Sequence, residues 1–331
     1  MEWFSGQLSH NYTRPDLISF NPELSKEISM EGFISVNGQI SSPEDAQIPV
    51  LDRGFLFGDN IFEVFVAFGN TVLDLKPHLD RLRRSAEMHR IPIPWSDEEL
   101  SFEIQSLIET TNHPKKYIRL VITRGEGIAL YQPEEPSPNK VIFCLPARQE
   151  SEEILSKGIK LKRRQANFVE RGATAKTGNY IRSITALEQA KQEGFDDVLW
   201  TNGDQELTEA TTSNIFLIGR EGDLIEIATP PANSGLLLGI TRSRIIDLLT
   251  NAKIPVTERV ISTDEIARFD EGFLCSTVRG LVPIQQIDKH RLHSTRTNAV
   301  FKHIQRLFST WVATEVGYRV NWNTGEKVED I

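Results

Sequence analysis

Short apolar runs punctuated by glycine-asparagine pairs organise the first part of the chain. Phe33-Ile34-Ser35-Val36 runs into Asn37-Gly38, a strong hairpin signal. Ile61 to Phe68, dense in Phe and Val, turns at Gly69-Asn70 into Val72-Leu73 and predicts a second hairpin. The period then becomes helical. Leu79, Leu82 and Ala86 share one face, as do Leu100, Ile104, Leu107 and Ile108, and Ser96-Asp97-Glu98-Glu99 is a capping-box start for the latter. Strands are predicted over 117–123 and 141–145, separated by a Pro- and Glu-rich loop from Gln132 to Lys140.

Residues 147–156 read as an interdomain loop. Beyond it, strands near 159–164, 197–201, 214–218 and 224–228 alternate with turns at Asn202-Gly203 and Glu221-Gly222. Helices are predicted over about 180–193 and 241–250, the first with Ile181, Ile184, Leu187 and Ala190 as its apolar face. A long amphipathic helix near 298–314 carries Val300, Ile304, Leu307, Phe308 and Trp311 on one stripe. The expected class is α+β in two domains, 31–146 and 157–331, after a polar N-terminal extension over 1–30 with Pro15 and Pro22.

The 331 residues suffice for two substantial cores, and 39% hydrophobic with 25% charged residues is an ordinary globular balance. A net charge of −9 argues against nucleic acid or an anionic membrane as partner. No apolar run reaches the roughly 20 residues that span a bilayer, and the N-terminus lacks a signal peptide's basic flank and apolar core. Cys144 and Cys275, each inside an apolar run, read as buried free thiols. These features predict a cytoplasmic protein, with no metal site.

Lys176 follows Gly172-Ala173-Thr174-Ala175, small residues that leave room beside it, and precedes a predicted helix. A solvated surface lysine is the ordinary reading of such a position. A desolvated one has a depressed pKa and becomes a nucleophile for carbonyls. Glu209, if buried, needs a partner, because an isolated carboxylate in a low-dielectric site is costly. Ile240 and Thr241 open a helix, where free amides and the positive dipole end favour an anion; Thr241 also suits an N-cap.

Ala175-Lys176-Thr177-Gly178-Asn179-Tyr180, Leu207-Thr208-Glu209-Ala210-Thr211-Thr212-Ser213-Asn214, Gly239-Ile240-Thr241-Arg242 and Cys275-Ser276-Thr277-Val278-Arg279-Gly280 stand in that order. Together they resemble the fold-type IV pyridoxal-phosphate (PLP) enzymes: branched-chain and D-amino-acid aminotransferases and aminodeoxychorismate lyase. The resemblance spans about residues 32–290, and neither the first thirty nor the last forty residues speak to chemistry. It implies a two-domain D-amino-acid aminotransferase-like fold and a homodimer. Lys176 would carry the PLP and shuttle the substrate proton, Tyr180 would bond its phenolic oxygen, and Glu209 its ring nitrogen. Ile240, Thr241, Ser276, Thr277 and Arg81 would hold its phosphate.

The resemblance also bears on the substrate. Tyr117-Ile118-Arg119 and Phe62-Glu63 are similar to the bacterial branched-chain enzymes, in which the matching Arg binds the distal carboxylate of glutamate. Val64 adds bulk where those enzymes have Gly, Leu120 stands where they have Pro, and their Gly-Thr-Ala-Ala-Glu loop becomes Ser276-Thr277-Val278-Arg279-Gly280, with Arg279 a new cation near the expected substrate carboxylate. The D-amino-acid enzymes trap that carboxylate with an Arg and a His after Thr-Arg-Gly; after Thr123-Arg124-Gly125 this chain offers Ala129 and Tyr131. The expected activity is transfer of an amino group from an apolar, branched-chain-like L-amino acid to 2-oxoglutarate, with Phe62, Arg119, Val278 and Arg279 around the substrate. D-amino-acid transamination, aminodeoxychorismate lyase chemistry and a non-catalytic PLP-binding protein are the alternatives.

Overall fold

The computed structural model describes residues 31–166, 174–222 and 224–329; the expected N-terminal extension lies outside them. Both early hairpins form. Strands β1 (Phe33–Val36) and β2 (Gln39–Ser41) turn at Asn37-Gly38, and β3 (Asn60–Phe68) and β4 (Thr71–Val72) at Gly69-Asn70. With β5 (Lys115–Thr123) and β6 (Lys140–Pro146) they make a six-stranded antiparallel sheet in the order β2-β1-β6-β5-β3-β4. Helix α1 (Arg53–Phe57) precedes β3; α2 (Leu75–His89) and α3 (Asp97–Ile108) cover one sheet face. Leu79, Leu82, Ile104 and Leu107 pack there on Ile61, Phe65 and Ile118. Ser96 closes the expected capping box with Glu99.

The segment expected to be an irregular link carries a short helix, α4 (Glu152–Lys157). Its cause is local: the Ser151 hydroxyl accepts from the Ile154 amide, and Glu152 and Glu153 complement the dipole in the first turn.

The second sheet has nine strands. They are β7 (Ile159–Gln165), β8 (Asp197–Thr201), β9 (Leu207–Ala210), β10 (Asn214–Glu221), β11 (Leu224–Thr229), β12 (Thr257–Glu258), β13 (Phe269–Ser276), β14 (Gly280–Ile287) and β15 (His290–Arg291). The order is β12-β11-β10-β13-β14-β7-β8-β9, with β15 on β14. Parallel pairings join β14 to β7 and β7 to β8, where α5 (Ile181–Gln192) makes the crossover. Helices α6 (Ile240–Asn251) and α7 (Val300–Val316) cover one face, over a cluster that includes the stacked pair Phe216–Phe273, 5.0 Å between centroids. Cys144 and Cys275 are buried free thiols.

Two helical faces differ from expectation. In α5 only Ala186 and Ala190 are buried, while Ile181 and Ile184 are 71% and 56% exposed. In α7 the buried residues are Phe301, Ile304, Phe308 and Val312, whereas Val300, Leu307 and Trp311 flank them half-buried. The predicted stripes have helical period, but the packed sheet, not the period, selects the row that is covered.

Candidate active site

Lys176 lies on a segment without regular structure, and two backbone bonds fix it. Its carbonyl accepts from the Phe62 amide of β3 at 3.0 Å, and its amide donates to Ser85 Oγ of α2 at 3.1 Å. The side chain lies against the Phe62 ring, Nζ 4.5 Å from the centroid. Burial, aided by the Arg81 and Arg119 cations and opposed by Glu63 and Glu209, pulls the ammonium down to about 8.

Glu209 projects from β9. Its Oε2 accepts from Asn214 Nδ2 at 3.3 Å and from the Leu237 amide at 3.2 Å. Burial pushes its carboxyl up to about 7 despite the Leu237 amide and the Lys176 and Arg81 cations. No cation lies in direct salt-bridge contact with it among the described residues. Asn214 in turn sits where a Cβ on Gly239 would come within 2.0 Å of its Oδ1, so only glycine lets the start of α6 approach the carboxylate's holder.

Gly239 caps α6 without a side chain, so the first-turn amides at Ile240 and Thr241 have no side-chain cap. Arg81, on α2, is bidentate to Glu63 (Nε and Nη2, both 2.7 Å) and donates from Nη1 to the Leu238 carbonyl at 3.0 Å. Burial alone would raise the Glu63 carboxyl; Arg81 and His78 more than reverse this and hold it at about 2. Burial also lowers His78, against the pull of Glu63. A neutral His78 whose Nδ1 donates to Glu63 at 2.8 Å keeps Nε2 as an acceptor, 3.4 Å from Thr277 Oγ1.

One cavity of about 610 Å³ collects every residue that the resemblance assigns to the cofactor or the substrate. Lys176, Tyr180, Glu209 and Arg81 line it with Ile240, Thr241, Ser276 and Thr277, and so do Phe62, Arg119, Val278 and Arg279. Tyr180 packs its ring 5.7 Å from that of Phe62, and burial raises its phenol to about 12, leaving it a hydroxyl donor. The Arg119 guanidinium lies 3.8 Å from the Phe62 ring centroid and has no carboxylate partner among the described residues. Arg279, by contrast, is bound to Glu150 (2.6 Å) and Asp197 (3.4 Å). Arg124, in the Thr123-Arg124-Gly125 motif, is tied to Asp59 and to the carbonyls of His89 and Arg90. The roles of His78, Ser85, Asp197 and Asn214 were not read from the sequence. Only the Ser213-Asn214 pair had a signal, its place in the Glu209 motif.

The family model for amino-transferase class IV matches residues 60–287. The chain belongs to the class IV aminotransferases. It is 28% identical over 301 residues to the branched-chain-amino-acid aminotransferase of Escherichia coli strain K12, covering 88% of this chain and 96% of that protein. It is also 28% identical over 288 residues to the D-alanine aminotransferase of Listeria monocytogenes, covering 83% and 94%. The crystal structure of the Escherichia coli branched-chain enzyme superposes with a TM-score of 0.76 at 27% identity, over 85% of this chain and 94% of that one. Class IV aminotransferases are PLP-dependent. The donor set fits that cofactor. The aminotransferase presents a carboxylate lacking a cation, an amine of lowered pKa, and uncapped helix amides beside hydroxyls on the same cavity.

A carboxyl whose folded pKa is raised binds its proton first in the folded state. Stability of the cofactor-free protein therefore falls as pH rises from 4.5 through 7 on account of Glu209. Glu209→Gln removes that slope. Urea denaturation at about pH 5 and about pH 8 should show a loss roughly 2 kcal/mol larger in the parent protein than in the variant. Parallel pH profiles would refute the burial of an ionisable carboxyl there.

Proposed function

We propose that this aminotransferase moves the amino group of an apolar, branched-chain-like L-amino acid to 2-oxoglutarate. The observation that carries the reading is Arg119, a cation without a carboxylate partner among the described residues, set on the apolar wall of Phe62 and Val64. Apolar side chains suit that wall, and the distal carboxylate of 2-oxoglutarate or glutamate suits the guanidinium. Similarity to branched-chain enzymes supports the same choice.

Bound PLP would supply an electron sink for the charge left when the substrate Cα loses its proton. Ile240, Thr241, Ser276, Thr277 and Arg81 would hold its phosphate, Tyr180 its phenolic oxygen, and Glu209 would keep its ring nitrogen protonated. Lys176 would carry the proton: Nζ, low in pKa and short of solvent, would take it from the substrate Cα and hold it for return. Glu63, itself bonded to His78, fixes the Arg81 guanidinium from behind. Two units follow the two sheets in this reading, 31–146 and 157–331, with the cavity between them. A reducing cytoplasm would keep Cys144 and Cys275 as free thiols. Among the described residues no helix is long and apolar enough to cross a membrane, and no cluster could hold a metal ion.

The reading includes a homodimer. Phe55 (65% exposed), Ile128 (77%), Leu130 (81%) and Ile181 (71%) offer apolar surface, and Arg53 ties α1 to the 128–131 loop by donating to the Ala129 and Leu130 carbonyls. Gly58 abuts Asn179, which brings the start of α5 alongside. A face of this kind is what a subunit contact covers. Light scattering of the full chain should give twice 37.5 kDa, and Ile181→Glu with Leu130→Glu should shift it to the monomer; a monomeric parent protein would remove this part of the reading.

PLP-loaded protein mixed with L-leucine, and no acceptor, should release one equivalent of the 2-oxo acid per active site. Lys176→Ala should release none while melting cooperatively like the parent. Release from D-leucine alone would move the assignment to the D-amino-acid enzymes, and no release from any amine donor would favour a non-catalytic binder. Arg119→Met should raise KM for 2-oxoglutarate about thirtyfold, roughly 2 kcal/mol, while leaving the L-leucine half-reaction close to unchanged. An unaltered KM would remove Arg119 from carboxylate binding.

A further inference from the structure

The turn between β13 and β14 forms part of the cavity wall, and two of the residues that hold it, Trp322 and Asn323, lie outside the family-matched span. The carbonyl of Val278 accepts two side-chain hydrogen bonds, from Lys115 Nζ at 2.9 Å and from Trp322 Nε1 at 3.2 Å. Trp322 lies in a C-terminal turn closed by the Asn321 amide on the Glu326 carbonyl (2.8 Å) and the Gly325 amide on the Asn321 carbonyl (2.7 Å). Its ring packs on Phe68 and Phe308, centroids 5.1 and 5.0 Å away, and Lys115 Nζ stands 5.1 Å from the ring centroid. Lys115 is only 4% exposed, so a buried ammonium is committed to this contact.

Two further ties act on the same turn. A Cβ on Gly280 (φ +65°) would lie 2.4 Å from the indole nitrogen, so glycine both takes the left-handed backbone and admits the ring. Arg279 donates to Glu150, whose amide donates to Asn323 Oδ1 at 2.7 Å and whose carbonyl accepts from Asn323 Nδ2 at 3.1 Å. Its other carboxylate, Asp197, accepts the hydroxyl of Thr211 at 2.6 Å. The guanidinium thus faces two carboxylates, and its charge is matched before any substrate arrives.

We propose that Lys115 and the C-terminal turn, through Trp322 and Asn323, form a latch that positions the Val278–Arg279 wall of the active site for the amino-acid substrate. Trp322 and Lys115 are its positioning residues, and Arg279 is its ionic arm, not an anchor for the substrate carboxylate. The kinetic half of this inference rests on the transaminase reading; the structural half does not. A wall already fixed has little ordering to undergo when substrate binds, so releasing it weakens binding more than chemistry.

The test uses full-length PLP-loaded protein carrying Trp322→Phe or Lys115→Met. Phenylalanine keeps an aromatic ring for Phe68 and Phe308 but loses the N–H; methionine keeps the buried stem but loses the ammonium. Amide exchange in the 275–280 peptide, followed by mass spectrometry with and without PLP, should speed up about tenfold in either variant while the α3 peptide stays protected. KM for the amino donor should rise about five- to tenfold, with kcat and PLP affinity within about twofold of the parent. Unchanged exchange at the turn, or equal acceleration throughout the molecule, overturns the latch. Faster exchange with an unchanged KM overturns its part in substrate binding. Absence of turnover in the parent protein would sink the transaminase reading alone, because the exchange measurement still decides the latch. Asn323→Ala, which frees Glu150, provides the same comparison if either core variant fails to fold.

Discussion

Strand β3 is buried on both faces, and the placement of the site follows from that. Its successive side chains point to opposite sides, so Ile61, Phe65 and Ala67 enter the core under α2 and α3 while Val66 and Phe68 enter the core beneath α6 and α7. A strand so embedded has no freedom to slide, since a one-residue slip would exchange the two sets. Its first half then acts as a fixed rail. The Phe62 amide holds the Lys176 carbonyl, the Phe62 ring carries Lys176 Nζ on one contact and Arg119 on another, and Glu63 gathers Arg81 and His78.

The charges around that rail divide into two kinds. Glu63 is fully matched, with a bidentate guanidinium and an imidazole, and remains ionised in the interior. Glu209 has only neutral donors, so burial dominates and its carboxyl rises. Lys176 shows the mirror effect, an ammonium weakened by burial and by two neighbouring arginines. An interior that satisfies one carboxylate and leaves a second carboxylate and an amine unmatched is prepared for a ligand with its own charges. PLP, a phosphorylated pyridinium aldehyde, has that pattern, and it is the cofactor of the class IV family.

The same distinction separates Arg119 from Arg279. Both are arginines on the cavity, and neither spacing nor residue type tells them apart. Arg119 rests on an aromatic face, whereas Arg279 faces Glu150 and Asp197, residues distant from it along the chain. A guanidinium with two carboxylates contributes position; one without them retains charge for a ligand.

Local signals carried much of the fold. Hairpins at Asn37-Gly38 and Gly69-Asn70, the Ser96 capping box and most strands depend on residues next to one another, so the chain reveals them without knowledge of its neighbours. The Lys176 and Glu209 motifs were legible through their resemblance to a known family, and Lys176, Tyr180 and Glu209 line one cavity. Tertiary structure decided the rest. Period alone gave α5 an apolar face, but it could not say that Ile181 and Ile184 would remain uncovered. No motif links His78 to Thr277, Asn214 to Gly239, or Trp322 to Val278, because each contact joins segments remote in sequence that only the folded chain brings together. The last forty residues were silent about chemistry, and Trp322 became informative only once the fold set its indole against the active-site turn.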